Sequence, residues 1–163
     1  ILHCIKNSTK GGDTKVIDGF KAALRLKKDN KKYFDLLSKY RTQFEFKEKN
    51  NVHLKSRFPM ISLSTDGELI GIYFNNRSIG PITDVPYSLM LDYYKAYRKF
   101  SNIIDDPKMA IKFKLKPGQC FIVDNSRVLH ARTAYYGSGN RWLQGCYADK
   151  DGLLSSILTE KNN

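Results

Sequence analysis

Cysteine is scarce in this sequence. Three of the 163 residues are cysteines, Cys4, Cys120 and Cys146, and none stands in a CxxC or CxxH spacing. An odd, scattered set argues against a disulfide scaffold and a structural zinc site, and favours a reducing, intracellular setting. All three fall in strand-like segments, so buried, inert thiols are expected. Long apolar runs are also missing: nothing approaches the ~20 residues that cross a bilayer as a helix, and no membrane partner is expected. Acidic residues are few, 16 against 28 lysines and arginines, for a net charge of +12. Such a charge invites a nucleic-acid reading. The basic residues are spread along the chain, however, and lack the aromatic interleaving that stacks bases. We therefore expect a solvated basic surface and no nucleic-acid partner. A positive field of this kind favours a dianion over a quaternary ammonium. There is no internal repeat, no low-complexity tract and no linker, so one domain over 1–163 is expected.

What is present is a pattern of short strands around three helices. Ile1 to Lys6 and Asp13 to Ile17 read as strands, with a loop carrying Gly11-Gly12 between them. Asp18 reads as the N-cap of a helix over Gly19 to Lys28, and a second helix follows over Lys31 to Tyr40. Thr42 to Ser64 is weakly strand-like. Asp66-Gly67 marks a hairpin between MISLS and LIGIYF, whose second strand ends at Asn75-Asn76. A helix extends from Tyr87 through Ile104, its tyrosines spaced for packing, and Asp105-Asp106-Pro107 ends it.

The stretch from Leu115 to Asp149 organises the rest. Turn signals at Pro117-Gly118 and Gly137-Ser138-Gly139 separate strands over Cys120 to Asp124, Val128 to Tyr135 and Arg141 to Tyr147. Alternation puts Val128, His130 and Arg132 on one face of the second strand. It puts Arg141, Leu143, Gly145 and Tyr147 on one face of the third, with Trp142 opposite and assigned to the core. An imidazole, a guanidinium and a phenol ring can thus be aimed at a common interior, as a metal, an anion and a cation would require. On spacing alone, His130 could equally be structural, Thr14 an ordinary strand residue and Asn75 a strand terminator.

Four blocks, GGDTKVIDGF, YFNN with DVPY, DNSRVLHAR and NRWLQGCYADKD, occur in an order that resembles the iron(II)- and 2-oxoglutarate-dependent dioxygenases acting on trimethylated amines. The resemblance spans nearly the whole chain and corresponds to the C-terminal part of the catalytic domain. It implies a mainly β fold with helical insertions, a double-stranded β-helix or jelly roll, whose N-terminal part is absent. The opening at Ile1 in mid-strand likewise reads as a fragment. The implied reaction is hydroxylation of gamma-butyrobetaine to carnitine, with trimethyllysine as the competing substrate. A non-catalytic basic fragment binding nucleic acid or a protein partner is the alternative of another class.

The resemblance also implies roles. His130 would be an iron ligand, Arg141 and Thr14 would hold 2-oxoglutarate, and Tyr147 and Asn75 would contact the quaternary ammonium substrate. Arg132 shares the face of His130 and is the rival anion binder. Iron(II), 2-oxoglutarate and O2 would take part, with ascorbate as a candidate addition and a homodimer as a candidate assembly. The setting would be cytoplasmic, or alternatively the mitochondrial matrix. The family's His-x-Asp pair is missing, since His3, His53 and His130 are followed by Cys4-Ile5, Leu54-Lys55 and Ala131-Arg132. Ser126 and Ala131 stand where the family commonly has Trp and Gly. An iron of this type needs two histidines and a carboxylate, so the isolated chain is expected to be inactive.

Overall fold

A computed structural model describes residues 1–48 and 52–161. In chain order the elements are β1 (Leu2–Asn7), β2 (Lys10–Gly11), β3 (Thr14–Asp18), α1 (Gly19–Asp29), α2 (Lys31–Lys39), β4 (Arg41–Glu48) and β5 (Val52–Pro59). They continue with β6 (Ile61–Leu63), β7 (Leu69–Ile72), α3 (Tyr87–Asp105), a 3-10 turn (Pro107–Met109), β8 (Ala110–Phe113), β9 (Cys120–Phe121), β10 (Val128–Arg132), β11 (Tyr135–Tyr136), β12 (Arg141–Gly145) and α4 (Lys150–Glu160). Two three-stranded sheets run in the orders β12–β1–β9 and β10–β3–β8. Three two-stranded ribbons are β11–β2, β4–β5 and β6–β7.

The chain divides into two compact units. One comprises Val16–Ile111 and Asn125–His130 and contains the helical core. Asp18 starts α1 by accepting from the backbone N–H groups of Phe20 (3.0 Å) and Lys21 (3.3 Å), two of the donors a helix start leaves without partners. Asn30 ends α1 with its N–H on the Leu26 carbonyl and starts α2 by accepting from the Tyr33 N–H. α3 ends where Asp106 accepts from the Lys108 N–H and Pro107 follows. Helical periodicity puts Ala22, Ala23 and Leu26 of α1, Phe34 and Leu37 of α2, and Tyr93, Ala96, Phe100 and Ile103 of α3 into one core. Met60, just before β6, and Ile61 and Ile72 of the β6–β7 ribbon close it. Burying each large side chain contributes about 1.5–3 kcal/mol. The Tyr93 hydroxyl in this core is satisfied by Thr42 Oγ1 at 2.7 Å.

The other unit comprises Ile1–Lys15, Lys112–Asp124 and Ala131–Asn163. Its central strand, β1, pairs antiparallel with β12 from Leu2↔Gly145 to Asn7↔Arg141, with an irregularity between Cys4 and Lys6, and with β9 through Leu2↔Phe121 and His3↔Cys120. Its buried side chains include Cys4, Thr9, Thr14 and Leu115.

Several strands are shorter than the sequence suggests. β12 stops at Gly145 rather than Tyr147, and β9 stops at Phe121 rather than Asp124. Beyond β12 the backbones of Ile1 and Cys146 still bond one another. Trp142 is 57% exposed, not core. It lies opposite Lys6 on the uncovered face, whereas Leu143 lies opposite the buried Cys4. Cys4, on the central strand β1, is buried as expected, but Cys120 on the outer strand β9 and Cys146 just after the outer strand β12 are exposed. The strand expected over Val128 to Tyr135 breaks at Thr133, where backbone and side chain both turn to bond Asp13.

Candidate functional site

In the first-described, helical unit, His130 is the third residue of β10 and faces solvent in part of a strand that grows more exposed toward its end. The backbone just before it is pinned: the Gly19 N–H donates to the Arg127 carbonyl at 2.9 Å. The Arg127 guanidinium bonds Asp18 through Nε (3.2 Å) and Nη2 (2.6 Å). That guanidinium, opposed in part by desolvation, lowers the Asp18 pKa, with the Lys21 and Phe20 amides helping. Asn75, in the same unit, is exposed, and its Oδ1 accepts from the Arg77 N–H at 2.8 Å. This is an Asx turn, which leaves the amide nitrogen uncommitted to that turn. The same unit has a depression of about 710 Å³ lined by Phe20, Lys21, Leu24, Phe34 and Leu69 among others. It contains none of the predicted site residues.

The β1-centred unit carries Thr14, Arg141 and Tyr147. Thr14 opens β3 and is 4% exposed. Tyr147 follows β12 and is 88% exposed. Arg141 opens β12 opposite Asn7. Its parity with Leu143 is the sheltered one, as the alternation predicts.

Arg141 lies over the Gly11-Gly12 turn. Both glycines have positive φ, 70° and 72°, a region that favours glycine. A Cβ on Gly11 would collide with the Ala134 carbonyl oxygen. One on Gly12 would lie 3.4 Å from Arg141 Nε and 3.3 Å from the Tyr135 Cβ. The turn is tied to the chain after β10 by the Gly12 N–H on the Ala134 carbonyl (2.9 Å) and by the reciprocal Asp13–Thr133 bonds. Within this cradle Arg141 Nε is buried and has no hydrogen-bond partner among the described residues. A charged donor in that state carries an uncompensated desolvation cost. The donor set therefore fits a carboxylate ligand.

Arg132, the rival, is exposed. One of its nitrogens donates to the Thr133 carbonyl at 3.3 Å. Both guanidinium groups address one ring, that of Tyr135, at 4.6 Å for Arg132 and 5.8 Å for Arg141. Sequence reasoning placed Tyr135 only at a strand end. The one signal that could have singled it out is its position three residues after Arg132 and six before Arg141.

Among the described residues no three His, Cys, Asp or Glu side chains cluster to hold a metal. Were His130 an iron ligand, it would supply one imidazole of the two-histidine, one-carboxylate set.

Against known proteins, residues 1–147 match the family model described as "Taurine catabolism dioxygenase TauD, TfdA family". The chain belongs to the TauD/TfdA dioxygenase family. Among curated TauD/TfdA relatives, it is 33% identical to human gamma-butyrobetaine dioxygenase over 96% of this chain and 42% of that protein. It is 37% identical to the gamma-butyrobetaine dioxygenase of Pseudomonas sp. strain AK-1, covering 96% of this chain and 41% of that one. It is 35% identical to the mitochondrial trimethyllysine dioxygenase of Gallus gallus, covering 96% and 38%. The chain thus spans about two fifths of the length of the relatives it matches. A solved structure of a candidate alpha-ketoglutarate-dependent taurine dioxygenase from Burkholderia xenovorans superposes with a TM-score of 0.63 at 16% identity, over 87% of this chain and 48% of that one. PvcB, an iron- and alpha-ketoglutarate-dependent oxygenase from an isonitrile synthetic pathway, does so at 0.56 and 18%, over the same shares. These neighbours carry the expected fold, the double-stranded β-helix.

Proposed function

We propose that this chain is the cosubstrate-holding part of an iron(II)- and 2-oxoglutarate-dependent dioxygenase that hydroxylates gamma-butyrobetaine to carnitine. The observation that carries the reading is the buried, unpartnered Nε of Arg141 above the Gly11-Gly12 turn, in a chain of this family. A guanidinium makes paired, charge-assisted bonds to a carboxylate that lysine cannot copy. Arg141 would hold the far carboxylate of 2-oxoglutarate, and the Thr14 hydroxyl would donate to the same anion. His130 would be one iron ligand, the remainder lying in the part of the relatives' length that this chain does not span. Bound iron would supply the oxygen activation, with O2 consumed and 2-oxoglutarate decarboxylated to succinate; the chain's own task is to bind and orient. Tyr147 would present its ring to the trimethylammonium group by cation–π attraction, about 0.5–1 kcal/mol at an exposed site. Asn75 would offer its amide nitrogen to the substrate.

Trimethyllysine is the second reading, because relatives acting on it match at 33–35% identity, overlapping the 33–37% of the butyrobetaine enzymes. The test is turnover by the full-length protein with iron(II), 2-oxoglutarate and each amine in turn, read by mass spectrometry of the hydroxylated product and by succinate formation. Hydroxylation of gamma-butyrobetaine at the higher kcat/KM supports the proposal. Preference for trimethyllysine transfers it to the second reading, and absence of succinate with either amine overturns both. Repeating the assay with and without ascorbate decides whether that reductant is needed.

A further inference from the structure

Arg141 is not positioned by hydrogen bonds at its inner nitrogen, since Nε has no partner among the described residues. What faces its guanidinium is the ring of Tyr135, and that ring is shared with Arg132. The backbone that carries this ring is held by pairing. β11 pairs with β2 in the register Tyr135↔Gly11 and Tyr136↔Lys10. The Gly12 N–H and the Asp13–Thr133 bonds hold the flanking backbone. Glycine at 11 and 12 is what allows this close approach, because a Cβ at either position meets Ala134 or Tyr135.

We infer that Tyr135 is a positioning residue that holds Arg141 for the dianionic cosubstrate and keeps Arg132 apart from it. This rests on the reading of Arg141 as the 2-oxoglutarate anchor. Two guanidinium groups gathered on one ring, at 4.6 and 5.8 Å from its centroid, repel one another, and no carboxylate is seen on either among the described residues. The negative face of one aromatic ring offsets that repulsion while leaving the donors of Arg141 uncommitted. A carboxylate partner would hold the guanidinium more tightly but would compete with the cosubstrate for the same donors. A ring does not compete, because it accepts no in-plane hydrogen bond. The arrangement therefore suits an anchor that must be oriented and still open to an incoming anion.

The test uses the full-length protein and reads the Kd of 2-oxoglutarate by calorimetry beside steady-state constants. Tyr135→Phe keeps the ring and should leave 2-oxoglutarate affinity within about twofold. Tyr135→Leu should weaken it roughly two- to fivefold, the fold-change equivalent to an exposed cation–π contact. The amine KM and kcat should change little. Replacing Tyr135 with phenylalanines of increasing ring fluorination, which drains the π-face at nearly constant shape, should weaken 2-oxoglutarate binding step by step. A purely structural role would show no such gradient, and a flat series overturns the inference. The fluorinated series also decides the matter if Tyr135→Leu fails to fold. Arg141→Lys is measured in parallel. If it weakens 2-oxoglutarate binding while the Tyr135 series is flat, the anchor stands and the positioning role falls. If Arg141→Lys changes nothing, the anchor reading itself is wrong.

Discussion

Asp18 joins two structural tasks that can be separated by substitution. Its carboxylate caps α1 through two backbone N–H groups and pairs with Arg127, the residue leading into β10. Removing a cap of this type costs about 1 kcal/mol, with a range near 0.5–2. The ion pair is solvent-screened, with side chains 35% and 52% exposed for Asp18 and Arg127, so roughly 0.2–1 kcal/mol is appropriate for it. Asp18→Ala should therefore lose about 1.5 kcal/mol, and Asp18→Asn, which still caps, about 0.5. For a chain of this length, 1 kcal/mol moves Tm by ~2–4 °C. The expected decreases are then about 3–6 °C for Ala and 1–2 °C for Asn, read by circular dichroism at pH 7. The pH dependence has a definite sign. Arg127 lowers the folded pKa of Asp18 below its ordinary 3.8, so the charge-dependent stability is complete above that value. It is lost as pH falls through the folded pKa. The wild-type advantage over Asp18→Asn should stay constant from neutral pH down to about 5 and shrink below about 4. An Asn variant as damaged as the Ala variant, or an advantage that grows on acidification, would refute the division into cap and ion pair.

Two further outcomes follow from single contacts. Tyr93→Phe leaves the Thr42 hydroxyl buried without its 2.7 Å partner and should cost about 1–2 kcal/mol in urea unfolding. Adding Thr42→Val should recover part of that loss, and strict additivity of the two would count against a shared bond. At Tyr147, exposed two residues beyond β12, Tyr147→Phe should be mild, whereas Tyr147→Leu should weaken amine binding about two- to fivefold by calorimetry with Tm unchanged. A fall in Tm instead would make the ring a packing group.

Locally encoded features were the legible ones. Asp18 as a cap, Asp66-Gly67 as a hairpin and Asp106-Pro107 as a helix stop each act within a few residues, and each is present. Gly67 takes the positive φ, 83°, that such a turn requires. Features that depend on a distant partner were not legible. β9 and β12 both pair with β1, more than a hundred residues away in the chain. The strand character of Thr42 to Ser64 was readable, but its pairing as β4–β5 from Arg41↔Pro59 to Glu48↔Val52 depends on register between strands. In the candidate site, the inward parity of Arg141 followed from period-two alternation. The ring of Tyr135 beneath its guanidinium did not, because the Gly11-Gly12 turn that brings β11 onto β2 comes from the other end of the chain.

On the proposed reading, that turn favours Arg141 over Arg132 on physical grounds. Arg132 is closer to His130 in sequence and shares its strand face, but it is exposed, donates to the Thr133 carbonyl and lies nearer the shared ring. Water satisfies whatever donors it has left, so an anion arriving there would only replace one set of bonds with another. Arg141 differs in kind. Its Nε is withdrawn from solvent and is answered by no group among the described residues, a state that costs at least ~1–3 kcal/mol for a polar donor and more for a charged one. A carboxylate bound there would recover that cost in addition to its own charge-assisted bonds. The free energy so recovered is part of the affinity available to a carboxylate ligand. On the proposed reading, the cradle selects Arg141 over Arg132 by burial rather than by charge, which both arginines share.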